Sequence, residues 1–201
     1  MIDISVIRNI NEGNVRCLSI DPGSNNMGYS IVELNVKTWT ISILRCETVK
    51  AKDIVSELSD LNEILGERFV RNIAYKEFIK NLLLKWHIDF VVCEAAYAGA
   101  FIKAYQSLTE HVTLLKAAVY LYDRQMTFLM VEPSVVKKAM GVKGNSGDKS
   151  LMTKALSERN SIVICDTIVI AQLDEHSIDA ACIGLTTLDK IRGNMRASLN
   201  E

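Results

Sequence analysis

The chain lacks any uninterrupted apolar run of the roughly 18 residues that a membrane-spanning helix requires. Its longest candidate, residues 161–173, is broken by Asp166. No basic segment followed by an apolar stretch stands near the start, so no secretory signal is expected. The five cysteines (Cys17, Cys46, Cys93, Cys165, Cys182) are odd in number, scattered and never spaced C-x-x-C. That pattern excludes a zinc ribbon and a disulfide framework, and reads as small buried hydrophobes in a reducing compartment. An excess of charge of one sign is missing too, with 23 basic against 24 acidic side chains and a net charge of −1. Any contact with nucleic acid must then rely on a local basic patch. There is no internal repeat and no low-complexity segment.

What is present suits one globular domain: 201 residues, 49% hydrophobic and 23% charged. The organising stretch runs from Leu18 to Val32. It reads as a strand, a polar turn through Asp21-Pro22-Gly23-Ser24-Asn25-Asn26, and a second strand beginning near Gly28. Asp21 stands where the first strand ends, a place where a sheet holds a carboxylate rigidly and a glycine turn leaves room beside it. An ordinary turn would use the same residues, so the turn alone decides nothing.

After an N-terminal arm over residues 1–14, strands are expected over Val15–Asp21, Gly28–Leu34 and Thr38–Arg45, joined as an antiparallel meander. Residues 53–85 have helical spacing, divided at Gly66. Ile88–Glu94 suits a short strand buried on both faces, reached by a crossover and so parallel to the first. Ile102–Tyr122 is a long helix, Thr127–Val131 a fifth strand, and Ser134 a candidate cap for a helix to Met140. A loop over residues 141–147 leads to a helix from Asp148 to Arg159. Residues 162–173 fit either a strand or a buried helix. The last helix is expected over residues 175–188, with 191–201 a polar tail. The result is an α/β domain over residues 15–190 with a five-stranded mixed sheet and helices on both faces, the ribonuclease-H-like arrangement.

Three acids carry the chemistry. Asp21 and Glu94 end strands expected to be parallel neighbours, which puts both carboxylates on one sheet edge. Asp179 begins the last helix, where Ala180 and Ala181 permit a close approach to the sheet. Three hard oxygen donors suit Mg²⁺ or Mn²⁺ rather than zinc. Two such ions about 4 Å apart can activate water and stabilise a leaving oxygen in phosphodiester hydrolysis. His176, three residues before Asp179, and Glu175, four before it, share that helix face. Either could be the fourth ligand or the proton carrier, and His176 could equally cap or cover the helix. Asp174 is too far around the helix for the same site. Lys137, Lys138, Lys143, Lys149 and Lys154 form a local basic surface in a nearly neutral chain, where phosphate contacts are expected. On the long helix, Leu108, Val112, Leu115, Val119 and Tyr122 follow the spacing of a helix-pairing seam, while Leu114, Ala117, Ala118 and Leu121 could face the sheet.

Taken in order, Asp21-Pro22-Gly23-Ser24 with Gly28-Tyr29, the Glu94 strand end, Pro133 to Lys137, Gly144 to Lys149, and His176-x-x-Asp179-Ala180 resemble the RuvC-type Holliday junction resolvases over about residues 15–189. The resemblance implies a homodimer that cuts four-way DNA junctions symmetrically with two Mg²⁺ or Mn²⁺ ions per site. The family's acids fall on Asp21, Glu94 and Asp179, and its fourth acidic position on His176, which some members also carry. Tyr97 matches an aromatic that wedges into the opened junction, where stacking contributes about 1–3 kcal/mol per base. Lys137 and Lys149 match basic positions beside the cleaved phosphate, which makes Lys149 a catalytic candidate. The resemblance also implies a cytoplasmic protein of a bacterium or a virus-infected cell.

Longer segments than usual before the first strand, between the third and fourth strands and before His176 leave the substrate preference open. The alternatives are a nuclease for other branched DNA or RNA–DNA hybrids, a sugar-kinase-like ATP-binding domain, and a non-catalytic junction-binding module. The kinase reading lacks the second phosphate-binding turn of a duplicated half, and the intact acids argue against the last.

Overall fold

The computed structural model describes residues 13–96, 102–143, 148 and 150–198. Strands β1 (Asn14–Asp21), β2 (Asn26–Asn35) and β3 (Thr40–Lys50) form the antiparallel meander. A short helix α1 (Ala51–Ile54), a 3₁₀ segment, α2 (Asn62–Leu65) and the long α3 (Glu67–Trp86) follow. Gly66 separates α2 from α3 with φ +78°, a left-handed value that glycine adopts without strain. The crossover returns the chain as β4 (Phe90–Glu94), parallel to β1. Helix α4 (Ile102–Tyr122) then leads to β5 (Thr127–Val131), parallel to β4. Helices α5 (Pro133–Ala139) and α6 (Ser150–Ser157), strand β6 (Ile162–Ile164) and helix α7 (Glu175–Ser198) complete the order.

The sheet has six strands, β5-β4-β1-β2-β3-β6, one more than the sequence suggests. The addition is β6, three residues laid parallel along the edge of β3. So short a segment carries too little alternation to separate a strand from a helix. Strand β3 also continues to Lys50 and pairs with β2 down to Asn26, well past the expected end at Arg45.

Alternation along the strands builds two cores. Val15 and Cys17 of β1 and Phe90 and Val92 of β4 pack with Ile178, Ala181, Cys182 and Leu185 of α7, beside α5 and α6. Leu18 and Ile20, with Val91 and Cys93, pack instead against Tyr75, Ile79 and Leu83 of α3 and Leu115 and Val119 of α4. Four of the five cysteines are buried and all are free, as small core residues should be.

Three local expectations change. Val112, Leu115 and Val119 of α4, read as a pairing seam, are buried in the chain's own core together with Ala118 of the other side, whereas Leu121 is 67% exposed. A helix apolar nearly all round gives no periodicity from which to choose its inner side. Helix α5 starts one residue earlier than expected, at Pro133 rather than behind a Ser134 cap, because a proline at the first helical position needs no N–H. Residues 191–198, read as the start of a polar tail, continue α7. They are docked: Ile191 is buried, Arg192 donates to the Trp39 carbonyl at 3.0 Å, and the Arg196 guanidinium lies 5.1 Å from the Trp39 ring centre.

Candidate active site

Period-two alternation decides which way the acids point. Residues 15, 17 and 19 of β1 face α7, and Asp21 continues that series. Phe90 and Val92 of β4 face the same way, and Glu94 continues theirs. The β1–β4 register pairs Ser19 with Val92 and Ile20 with Cys93, so its next step sets Asp21 level with Glu94. Neighbouring strands stand about 4.8 Å apart, which holds the two carboxylates side by side at one edge.

Helix α7 brings the remaining groups. Its first turn lies directly on β2: a Cβ built on Gly28 would stand 1.9 Å from the His176 carbonyl oxygen, so only glycine admits this approach. Asp174 starts the helix. Its carboxylate accepts from the Ser177 N–H at 3.0 Å and the Ser177 hydroxyl at 2.9 Å, and also from Thr48 of β3. Helical spacing alone gives Asp174 no part in the site, yet its contacts fix where α7 begins. The Asp174-x-x-Ser177 pattern ahead of an apolar helix was the available signal.

So placed, His176 Nδ1 lies 2.8 Å from Asp21 Oδ2, and Glu175 Oε1 lies 3.8 Å from His176 Nε2. The Asp21 hydrogen bond raises the His176 pKa, against burial. Burial pushes Glu94 up to about 8, helped by the charges of Asp21 and Asp179 and by a hydrogen bond with Asp21. Asp179 rises to about 6, again through burial first and then the Asp21 charge. Lys137 is near enough to oppose both shifts. These influences place Asp21, Glu94, Asp179, His176 and Lys137 in one electrostatic cluster.

Among the described residues no three His, Cys, Asp or Glu side chains stand ready as a metal site. Asp21 is instead engaged by His176 and Glu94, an arrangement that spares the carboxylates part of their mutual repulsion. The three carboxylates still suit Mg²⁺ or Mn²⁺ in kind, since both ions prefer oxygen donors.

The other expected positions divide. Lys138, Lys143 and Lys154 are exposed. Lys143 and Lys154 border a shallow depression between α5 and α6, away from the acids' own contacts. Tyr97 and Lys149 lie outside the described residues.

No family model matches the chain, and no curated protein matches it in sequence. Solved structures do match its fold. Thermus thermophilus RuvC aligns with a TM-score of 0.60 at 16% identity, over 89% of this chain and 97% of its own. The yeast mitochondrial Holliday junction resolvase gives 0.61 at 16% identity, over 91% and 84%. The fowlpox virus Holliday junction resolvase gives 0.57 at 11% identity, over 88% and 99%. The fold is that of the RuvC-type, ribonuclease-H-like resolvases. No helix among the described residues of this RuvC-like chain is long and apolar enough to cross a membrane.

Proposed function

We propose that this chain is a divalent-cation-dependent endonuclease that resolves four-way DNA junctions, two copies acting together on opposed strands. The observation that carries the reading is the meeting of Asp21, Glu94, Asp179 and His176, from two strand ends and one helix, at a single sheet edge. RuvC and the fowlpox resolvase have both been solved with Holliday junction DNA, which supports branched DNA as the substrate class.

The carboxylates of Asp21, Glu94 and Asp179 would hold Mg²⁺ or Mn²⁺, with His176 as a further ligand or as the proton carrier. When bound, such ions activate a water for in-line attack at phosphorus and neutralise the leaving oxygen. Lys137 adds positive charge beside Glu94 and Asp179, where a phosphate must sit. His176, held through Nδ1 by Asp21, keeps one orientation and can carry a proton at this edge. Tyr97 and Lys149 are assigned to the DNA on the strength of the sequence resemblance, and Lys138 and Lys143 as part of the local basic surface. The dimer rests on the two-fold symmetry of a four-way substrate, which calls for two matching sites.

The test is a gel assay with labelled four-way junction, flap, fork and RNA–DNA hybrid, each with Mg²⁺, with Mn²⁺ and with chelator. Paired cuts in opposed junction arms, only with the cation, are expected. Preference for flaps or hybrids would move the substrate within the nuclease class. ATP turnover without any cleavage would overturn the reading.

A further inference from the structure

Asp21, Gly28 and Thr48 form one row across three strands. Asp21 of β1 pairs with Gly28 of β2, and Gly28 pairs in turn with Thr48 of β3. Directly opposed residues of antiparallel strands share a face, so the row is two strand spacings, about 10 Å, wide on the side that carries α7. The first turn of α7 meets this row at each of its three positions. The His176 ring lies 2.8 Å from Asp21, the His176 carbonyl stands over Gly28, and the Asp174 carboxylate accepts from the Thr48 hydroxyl. A second tie to β3 lies two residues back, where the Cys46 thiol donates to the Ser177 carbonyl at 3.1 Å.

These contacts do different things. Within the turn, the Asp174 side chain accepts from the Ser177 N–H, and the Asp174 carbonyl accepts from the Ile178 N–H at 3.1 Å. Such bonds fix the shape of a helix start but not where it stands on the sheet. Gly28 permits the close approach without holding it, and a thiol is a weak donor. The hydroxyl of Thr48 on a carboxylate is the stronger of the two ties to β3. From Ile178 to Ile191 the body of α7 is anchored by its buried residues, whereas Thr48 stands half-buried at the rim. Loss of the Thr48 tie therefore frees the turn that carries His176 and leaves the rest of the helix in place. We propose that Thr48 is a positioning residue: it touches none of the acids at the site, and by tethering Asp174 to β3 it sets the His176 ring against Asp21. What His176 does there rests on the cleavage reading; where Thr48 places it does not.

Thr48→Val removes the hydroxyl and keeps the side-chain shape, and Thr48→Ser keeps a hydroxyl. Nitrogen-15 NMR of the full chain in chelator near pH 9, where an imidazole is neutral, reports which ring nitrogen carries the proton, and the chain has three histidines to resolve. In wild type the His176 proton should stay on Nδ1, facing Asp21. In Thr48→Val it should redistribute toward Nε2, and in Thr48→Ser return to Nδ1. On labelled four-way junction, kcat should fall by about ten- to a hundredfold in Thr48→Val with KM changed less than about twofold, and Thr48→Ser should recover most of the loss. Both variants should melt within about 4 °C of wild type. The proposal is overturned if His176 in Thr48→Val keeps its wild-type proton position, or if Thr48→Ser behaves as Thr48→Val does. A loss of cleavage that only follows a collapse of the melting midpoint also overturns it, and leaves Thr48 purely structural. If wild type cuts no branched DNA the cleavage reading fails, whereas the His176 signals still decide whether Thr48 places the ring.

Discussion

His176 closes on Asp21 across 155 positions of sequence, Nδ1 to Oδ2 at 2.8 Å, and this contact joins the start of α7 to the end of β1. It makes Asp21 the hub of the edge, because the same carboxylate also bonds Glu94 and acts on the charge of Asp179. Asp21→Asn keeps the shape of the side chain and removes its charge. Cleavage should fall by about a thousandfold or more while junction binding is largely kept, since the proposed phosphate contacts are those of lysines. Binding and cleavage measured on the same labelled junction separate the two effects. A variant that no longer folds would instead make Asp21 a structural residue.

The approach of α7 to β2 depends on one hydrogen atom at Gly28. A methyl group there meets the His176 backbone, not a flexible side chain, so the first turn of α7 must move. Gly28→Ala should cost about 2–4 kcal/mol of stability and displace His176 from Asp21. Loss of cleavage below the melting transition, with a lowered midpoint, is the expected result. Full activity at wild-type stability would show that the site does not need this contact.

How much of this was legible in the sequence depended on the range of the interaction. The Asp21 hairpin and the Glu94 strand end follow from period-two alternation and turn chemistry, which are local. Their meeting needed only the parallel placement implied by a helical crossover. The inner face of α4 was not legible, because Val112, Leu115, Leu114 and Leu121 give apolar character to opposite sides. Nor was the extension of α7, which rests on Arg192 and Arg196 reaching Trp39 in the β2–β3 turn. Charged residues in that stretch read as solvated until the partner ring is placed.

Without a cation the acid cluster should make stability depend on pH in an unusual direction. The folded-state pKa of Glu94, about 8, lies above its ordinary value, so the folded chain binds the proton more tightly than the unfolded chain. The resulting stability is fully present below the unfolded value and is lost as the pH rises through about 8. Glu94→Gln mimics the protonated form permanently. In chelator it should raise the melting temperature by about 2–6 °C near pH 9 and change little near pH 4, while abolishing cleavage. Because metal ligands must give up their protons, divalent-cation affinity should also rise over the same interval. An equal effect of Glu94→Gln at both pH values would contradict this account of the cluster.

A buried histidine far from the acids gives a pH dependence of the opposite sign. His111 of α4 is fully buried, packs edge-on against Tyr75 at 4.9 Å, and donates from Nδ1 to Asn72 Oδ1 at 3.0 Å. Its Nε2 has no partner among the described residues, so a second proton would be buried without an acceptor. Burial lowers its pKa to about 4. The unfolded chain then binds the proton more readily, near pH 6.5. Stability is therefore intact above that value and declines as the pH falls toward about 4, by up to about 3 kcal/mol. Since Tyr75 also holds the Asn25 carbonyl, loosening α4 from α3 in acid should loosen the hairpin behind Asp21. His111→Gln removes the titrating group and keeps an amide able to bond Asn72. Melting temperatures at about pH 7 and pH 4.5 should differ less for this variant than for wild type, although its stability at neutral pH is lower. An unchanged difference would mean that acid sensitivity arises elsewhere in the chain.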